Sequence, residues 1–352
     1  MSGLEEVLAG LAPPFAFAGV GVAVAGRDPE FALQAAPGIG PVSPDTHWRA
    51  ASISKIVVGQ VARLVFDLAP ETDAAELLGW PFRHPDHPDV PITVRMLAGH
   101  LSGLVDDGGY VVAPGTSLER HVRELGPAAW GARPGNTFAY SNLGYLVLAA
   151  LCEDRTGERF DRLARRLVLE PLGLTGGFNW SGVPVEVRGA ALPTYRRAAH
   201  GAFEPQIDSV ISPAGVSGPD GREIAAGYRI GKDTALMSPP GGLRLSMAGA
   251  LRLAASLGRE PFQPIHVPEK AENGVLDVYG WGVQHIRAPG FYPRPIIGHF
   301  ANAYGFSGGV WYDAERDAAF VIALNGRALG DDSDDLHPSE ATLFAAVADH
   351  LG

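Results

Sequence analysis

The sequence predicts an α+β fold: one antiparallel sheet built from both termini, flanked by helices and interrupted by a mainly helical insertion. Three observations predict it. Apolar stretches rich in Val, Ala and Gly lie near the N-terminus, further strand-like stretches recur from residue 280 onward, and the middle carries helical periodicity and long loops. Strands at both ends around a helical middle imply a single sheet closed by distant segments. The expected division is 1–62 with 236–352 for the sheet part and 63–235 for the helical part, with a cleft between them.

In chain order, Ser2–Leu11 has the pattern of a short amphipathic helix stopped by Pro13. Phe15–Ala25 and Glu30–Ala36 are apolar stretches joined by the turn residues Gly26-Arg27-Asp28-Pro29, so a hairpin is predicted. Thr46–Ala50 reads as extended. From Ser52 the period changes, and Ile53, Ile56, Val57, Gln60, Val61, Leu64 and Val65 recur at helical steps. Helices are predicted at Val94–Gly99, Leu118–Leu125, Asn142–Arg155 (with Gly157 in C-cap position), Phe160–Leu169 and Met247–Leu257. The stretch 182–232 has too little periodicity to assign. Strands follow at Gly280–Ile286, Pro295–His299, Gly309–Asp313 and Ala318–Asn325. A last helix begins near Pro338-Ser339-Glu340 and buries Phe344, Val347 and Leu351.

Composition removes several functional classes. The formal charge of −11 disfavours general nucleic-acid or anionic-membrane binding, because neither polyanion is attracted. The single cysteine, Cys152, excludes an internal disulfide and a cysteine-based zinc cluster, and on its apolar helix it reads as a buried, inert thiol. Residues 1–10 contain Glu5 and Glu6 and no cation, and no apolar run reaches about 18 residues. The expectation is a soluble cytoplasmic protein with no metal and no cofactor.

The basic residues point to chemistry. Of 28, only three are lysine, and one of these, Lys55, follows Ser52 by three positions at the start of a helix. Residues i and i+3 share a helix face, so amine and hydroxyl can meet. A desolvated lysine can give up its proton where arginine cannot, and a neutral amine can activate a serine hydroxyl. Tyr140-Ser141-Asn142 at the entry to an apolar helix supplies a phenol able to shuttle a proton and an amide able to orient a base or a carbonyl. Gly298-His299-Phe300-Ala301-Asn302 stands at the end of a predicted strand that can offer a backbone N–H to an oxyanion. Each element alone has a plainer reading: an exposed lysine near a capping serine, a core tyrosine with a capping asparagine, a packed histidine.

Taken in order, Ser52-Ile53-Ser54-Lys55, Tyr140-Ser141-Asn142 and Gly298-His299-Phe300 resemble the motifs of the serine β-lactamase-like superfamily, which contains class C β-lactamases, DD-peptidases and family VIII carboxylesterases. THWRAASISK at 46–55, MLAGHLSGL at 96–104, RPGNTFAYSNLGY at 133–145, PLGLT at 171–175, PGGL at 240–243 and YGWG at 279–282 look like its landmarks, across nearly the whole chain. The resemblance implies that Ser52 is the acylated nucleophile, Lys55 its base or proton relay and Tyr140 the partner in proton transfer. It implies further that Asn142 contacts the carbonyl side of the substrate, that His299 stands where the family carries Lys or His, and that the N–H groups of Ser52 and Asn302 form the oxyanion hole. Ala301 departs from the usual glycine, and His299 replaces a fixed cation that would pair with a substrate carboxylate. Phe300 beside the site suggests an apolar contact. These departures favour ester or amide hydrolysis of a small, partly apolar molecule. The alternatives are β-lactamase or D-aminopeptidase-type activity, and a penicillin-binding-like protein without turnover.

Other motifs read as decoys. Gly305-Phe306-Ser307-Gly308-Gly309 matches a nucleophile elbow, with His337 downstream, but strand-like sequence follows where that elbow needs a helix. His84-Pro85-Asp86-His87 sits in a Pro-rich loop without a third ligand. Gly19-x-Gly21 lacks the strand–helix context of a dinucleotide site. His100 and Ser102 read as turn and packing residues in a cleft wall, Trp48 and Trp281 as core residues near it. The 105–130 loop and 182–232 are expected to line the pocket.

Overall fold

The apolar stretches at the two ends of the chain pair with each other. The computed structural model describes residues 2–352 apart from 13, 114, 179, 181–182, 207–226, 270–276, 332 and 334. In chain order the strands are β1 (Phe17–Val24), β2 (Glu30–Ala35), β3 (His47–Arg49), β4 (Tyr195–Arg197), β5 (Phe203–Pro205), β6 (Arg244–Ser246), β7 (Val278–Gly280), β8 (Val283–Ile286), β9 (Ile296–Ala303), β10 (Phe306–Asp313) and β11 (Ala318–Asn325). The helices are α1 (Ser2–Ala9), α2 (Ser54–Val65), α3 (Ala74–Leu78), α4 (Val94–Ala98), α5 (Leu118–Leu125), α6 (Asn142–Thr156), α7 (Phe160–Ala164), α8 (Val185–Arg188), α9 (Met247–Ser256) and α10 (Pro338–Leu351). Seven strands form one antiparallel sheet in the order β2-β1-β11-β10-β9-β8-β7, with Phe17 opposite Asn325 and Val24 opposite Ala318.

Both faces of this sheet are covered, and the pleat sorts side chains between them. On β11, Ala319, Val321 and Ala323 face the larger core shared with α2, α6 and α9, while Phe320, Ile322 and Leu324 face the smaller core under α1 and α10. The terminal helices bring Leu4, Leu8, Leu343, Phe344 and Val347 to that smaller core. Helix α6 buries almost its whole length, and Gly157 ends it in a left-handed C-cap at φ 69°. Cys152 on this helix is buried, and burial pushes its thiol pKa up.

Several boundaries differ from the sequence reading, each for a local reason. The stretch 280–286 is two strands, because the chain turns at Trp281 (φ 50°) and Gly282 (φ 80°). Strands β9 and β10 extend to Ala303 and Phe306 because Tyr304 and Gly305 (φ 54° and 86°) close a two-residue hairpin with both central residues left-handed. A tyrosine is an unusual occupant of such a position, which hid the turn. The helix expected over Phe160–Leu169 is α7 followed by a π-helical turn over Arg165–Leu169. Within 182–232 the structure adds α8, β4 and β5, and 207–226 lies outside the described residues. No helix among the described residues is long and apolar enough to cross a membrane.

The hairpin at Trp281 and Gly282 docks backbone to backbone on α2. A Cβ added at Gly59 would lie 1.9 Å from the Trp281 carbonyl oxygen, and one added at Gly282 would lie 1.9 Å from that of Lys55. Intrinsic propensity alone favours Ala over Gly in a helix by about 1 kcal/mol. Here the contact reverses the sign: Gly59→Ala is expected to destabilise the protein by about 1–3 kcal/mol in urea unfolding. Gly3→Ala in α1, where nothing lies within 4 Å, is expected to stabilise it slightly.

Candidate active site

Ser52 lies in a 3₁₀ turn, Ala51–Ile53, that packs against β9 and runs directly into α2. The turn begins on a non-glycine left-handed residue, Ala51, at φ 45°. Among the described residues, five of the six non-glycine residues with positive φ flank the same region: Ala51, His100, Ser238, Trp281 and Tyr304, with Asp317 in the β10–β11 turn as the exception. Such conformations persist where surrounding structure over-determines them, and they concentrate at functional sites.

Lys55, on the first turn of α2, is completely buried. Its Nζ lies 3.0 Å from Ser52 Oγ, 2.7 Å from Asn142 Oδ1 and 3.0 Å from the Pro240 carbonyl oxygen. Burial lowers its pKa to about 7, with the negative charge of Asp106 acting in the opposite direction. The three oxygens suit both forms of the amine: as the ammonium, Lys55 donates to all of them. Asn142 Oδ1 and the Pro240 carbonyl can only accept, so on losing a proton the amine keeps its two hydrogens on them and turns its lone pair to the Ser52 hydroxyl.

Asp106 fixes which end of the Asn142 amide faces the lysine. Its carboxylate accepts from Asn142 Nδ2 (2.8 Å), from the backbone N–H groups of Asn142 (2.8 Å) and Leu143 (3.0 Å), and from Ser141 Oγ (3.2 Å). Nδ2 is thereby committed to the carboxylate and Oδ1 to Lys55. The same four bonds hold the N-terminus of α6, whose orphan N–H groups and dipole favour an anion there. The sequence reading placed the 105–130 loop at the pocket without singling out Asp106.

Tyr140 lies across from the lysine, with Lys55 Nζ 4.7 Å from its ring centroid. Burial raises its phenol pKa well above the ordinary value, opposed by a hydrogen bond with Ser52, so the group is a neutral phenol that can pass a proton on. His100 stacks on Tyr140 at 4.5 Å between ring centroids, and its Nδ1 accepts the Ser141 N–H at 3.0 Å. His100 thus acts as the wall residue expected of it, setting the entry of α6.

His299 lies within β9, where the sequence reading put it at the strand end. Its Nδ1 bonds the Phe300 carbonyl, which can only accept, and its Nε2 lies 3.1 Å from Tyr279 Oη, which also bonds Tyr145 Oη at 3.3 Å. Burial and the neighbouring lysine lower its pKa to about 3, so the imidazole is neutral. Ala301, 3% exposed, shares this face of the strand. Phe300 does not: it packs against Phe291, Trp311 and Phe344 on the opposite face, which corrects the expectation of an apolar contact beside the site. The pleat alternates side chains, so the residue after His299 points away. The Asn302 side chain also points away, donating to the Ser333 carbonyl at 2.7 Å. Its backbone N–H follows the direction of the Phe300 N–H, which leaves β10 to reach Gln284 Oε1.

Other motifs find structural roles. Ser307 is buried inside β10 between β9 and β11, with no helix following, and His337 Nδ1 caps α10 by accepting the Ser339 N–H. Both His84 ring nitrogens are engaged, Nδ1 by the Asp86 N–H and Nε2 by the Gly131 carbonyl. Trp48 packs between Phe17 and Phe306.

A sequence model of the Beta-lactamase family matches residues 11–342, and the chain belongs to that family. It is a serine hydrolase of the β-lactamase-like superfamily. Solved structures share its fold at low identity. D-amino acid amidase from Ochrobactrum anthropi SV3, complexed with L-phenylalanine, superimposes with a TM-score of 0.73 at 16% identity, covering 100% of this chain and 99% of that one. D-stereospecific amidohydrolase from Streptomyces sp. gives 0.70 at 16% identity, with 98% of each chain covered. Beta-lactamase/D-alanine carboxypeptidase from Yersinia pestis gives 0.69 at 16% identity, covering 100% and 96%. No curated protein matches the sequence.

With three lysines in the chain, selective ¹³C labelling yields a spectrum in which Lys55 can be assigned by substitution. Its signal is expected to titrate near pH 7, and in Asp106→Asn at lower pH, because the charge that favours the ammonium is gone. A midpoint near that of an exposed lysine would contradict the buried geometry.

Proposed function

We propose that Ser52 is acylated by small, partly apolar esters or amides and that water then releases the acyl group. The observation that carries this reading is the buried Lys55 amine, 3.0 Å from Ser52 Oγ and held by two further oxygens, of Asn142 and Pro240, that can only accept. In the first half-reaction Lys55 accepts the Ser52 proton while Oγ bonds to the carbonyl carbon. The backbone N–H groups of Ser52 and Asn302 hold the oxyanion. Tyr140 passes a proton to the departing alcohol or amine as its bond to the acyl carbon breaks. In the second half a water loses its proton to the same relay, attacks the acyl-enzyme and returns Ser52 with its hydroxyl. Asn142 acts here by holding the amine, and neutral His299 by shaping the wall beside the strand.

A second reading narrows the substrate to amides of D-amino acids. It is supported by the names of the similar structures, a D-amino acid amidase and a D-stereospecific amidohydrolase. A panel of p-nitrophenyl esters, D-amino-acid amides and a chromogenic cephalosporin separates the readings.

Ser52→Ala is expected to abolish turnover. Lys55→Ala is expected to lower kcat/KM by about 10²–10⁴-fold, with no rescue by Lys55→Arg, because guanidinium keeps its proton. In the wild type kcat/KM is expected to rise with pH through about 7, since the working form of Lys55 is the neutral amine. Mass spectrometry of a slow ester is expected to find the acyl group on the peptide containing Ser52. Undiminished hydrolysis in both the Ser52→Ala and Lys55→Ala variants would refute the assignment.

A further inference from the structure

A buried cation without a counter-ion is costly, and such a group beside a reactive serine calls for a partner. Arg49 ends β3, three residues before Ser52, and is 6% exposed. Its Nη2 donates to Ser238 Oγ at 2.9 Å, and its guanidinium carbon lies 5.5 Å from the Tyr304 ring centroid. Its Nε is buried with no acceptor. Among the described residues no carboxylate pairs with it. Arg294 and Arg327, similarly withdrawn from solvent, are neutralised by Asp313 and Asp331. Of the five donors of a guanidinium, Arg49 has placed one among the described residues.

Its position ties it to the reactive centre. A point one Cβ beyond Gly241 lies 3.9 Å from Arg49 Nη2 and 3.9 Å from the Cα and carbonyl carbon of Ala51, the residue before Ser52. The adjoining Pro240 carbonyl receives a hydrogen from Lys55. On the other side Tyr304 follows Asn302 by two positions. Both contacts of the guanidinium, Ser238 and Tyr304, hold left-handed backbones at φ 48° and 54°. The guanidinium therefore sits where β3, the 238–241 segment and the β9–β10 turn meet beside the serine turn.

We propose that Arg49 is the anion anchor of the substrate pocket, and that the preferred substrates are small esters or amides carrying a free carboxylate. The inference rests on the reading that Ser52 is the acylated residue. A carboxylate can accept two parallel hydrogen bonds from a guanidinium, supplying the counter-ion that the described residues do not. Neutral His299 offers no charge for this task, so the cation comes from the opposite end of the serine turn.

Two matched ester pairs test it. 4-Nitrophenyl hydrogen glutarate against 4-nitrophenyl methyl glutarate places the charge on the acyl side, and 3-carboxyphenyl butyrate against 3-carbamoylphenyl butyrate places it on the leaving group. In at least one pair the wild type is expected to show a KM at least tenfold lower for the carboxylate. Arg49→Gln should bring the two KM values together, and Arg49→Lys should keep part of the difference. A purely structural role would move both members of a pair alike and leave their ratio intact, overturning the proposal. Independently of any variant, glutarate should competitively inhibit wild-type hydrolysis of the neutral ester, and glutaramide should not; equal effects, with equal KM values in both pairs, would also overturn it. Absence of neutral-ester turnover in the wild type would instead defeat the acyl-serine reading. The anchor is then decided by whether glutarate, unlike glutaramide, raises the thermal midpoint of the wild type and not of Arg49→Gln.

Discussion

Everything around Ser52 is arranged on the dehydration of one ammonium group. Lys55 is enclosed by α2, the entry to α6 and the 239–242 segment, and water is replaced at its Nζ by three protein oxygens. Burial makes the charged form expensive, and Asp106, one residue removed through Asn142, limits how far that effect goes. The balance leaves an amine able to exchange a proton near neutrality. Without burial it would stay an ammonium, and without Asp106 the amide that aims it would lose its orientation.

The surrounding backbone is shaped to make that enclosure possible. Gly59 and Gly282 let a strand hairpin come down onto α2 with no side chains between them. Left-handed residues at Ala51, His100, Ser238, Trp281 and Tyr304 bend the chain sharply at five places around the site. Strand propensity and helix propensity favour none of these conformations, and the packing of both cores holds them. The neutral state of His299 follows from the same enclosure: a second cation beside Lys55 would be repelled by it as well as desolvated.

Legibility in the sequence tracked how local each relation is. Ser52 and Lys55 were readable because three positions on a helix mean one face. Tyr140, Asn142 and His299 were readable only through motif order, since nothing in their spacing brings residues so far apart in sequence together. Asp106 was missed because its work is done across 36 positions, on Asn142, with no periodic pattern to betray it. Phe300 was placed on the wrong side because the strand was cut short at His299, so its pleat was not carried through. Trp281 and Tyr304 concealed turns because bulky residues seldom occupy left-handed positions.

The pairing of β1 with β11 also orders events during synthesis. Phe17 and Asn325 are separated by nearly the entire chain, so the sheet cannot close until the last strand has emerged. Ser52 and Lys55 emerge early, but β9, with its imidazole and backbone donors, follows some 240 residues later. Closure over so long a separation is slow and comes late. On the proposed reading, a nascent chain therefore carries Ser52 and Lys55 long before the strand that walls them, and the site is assembled only once β9 and β11 have been made.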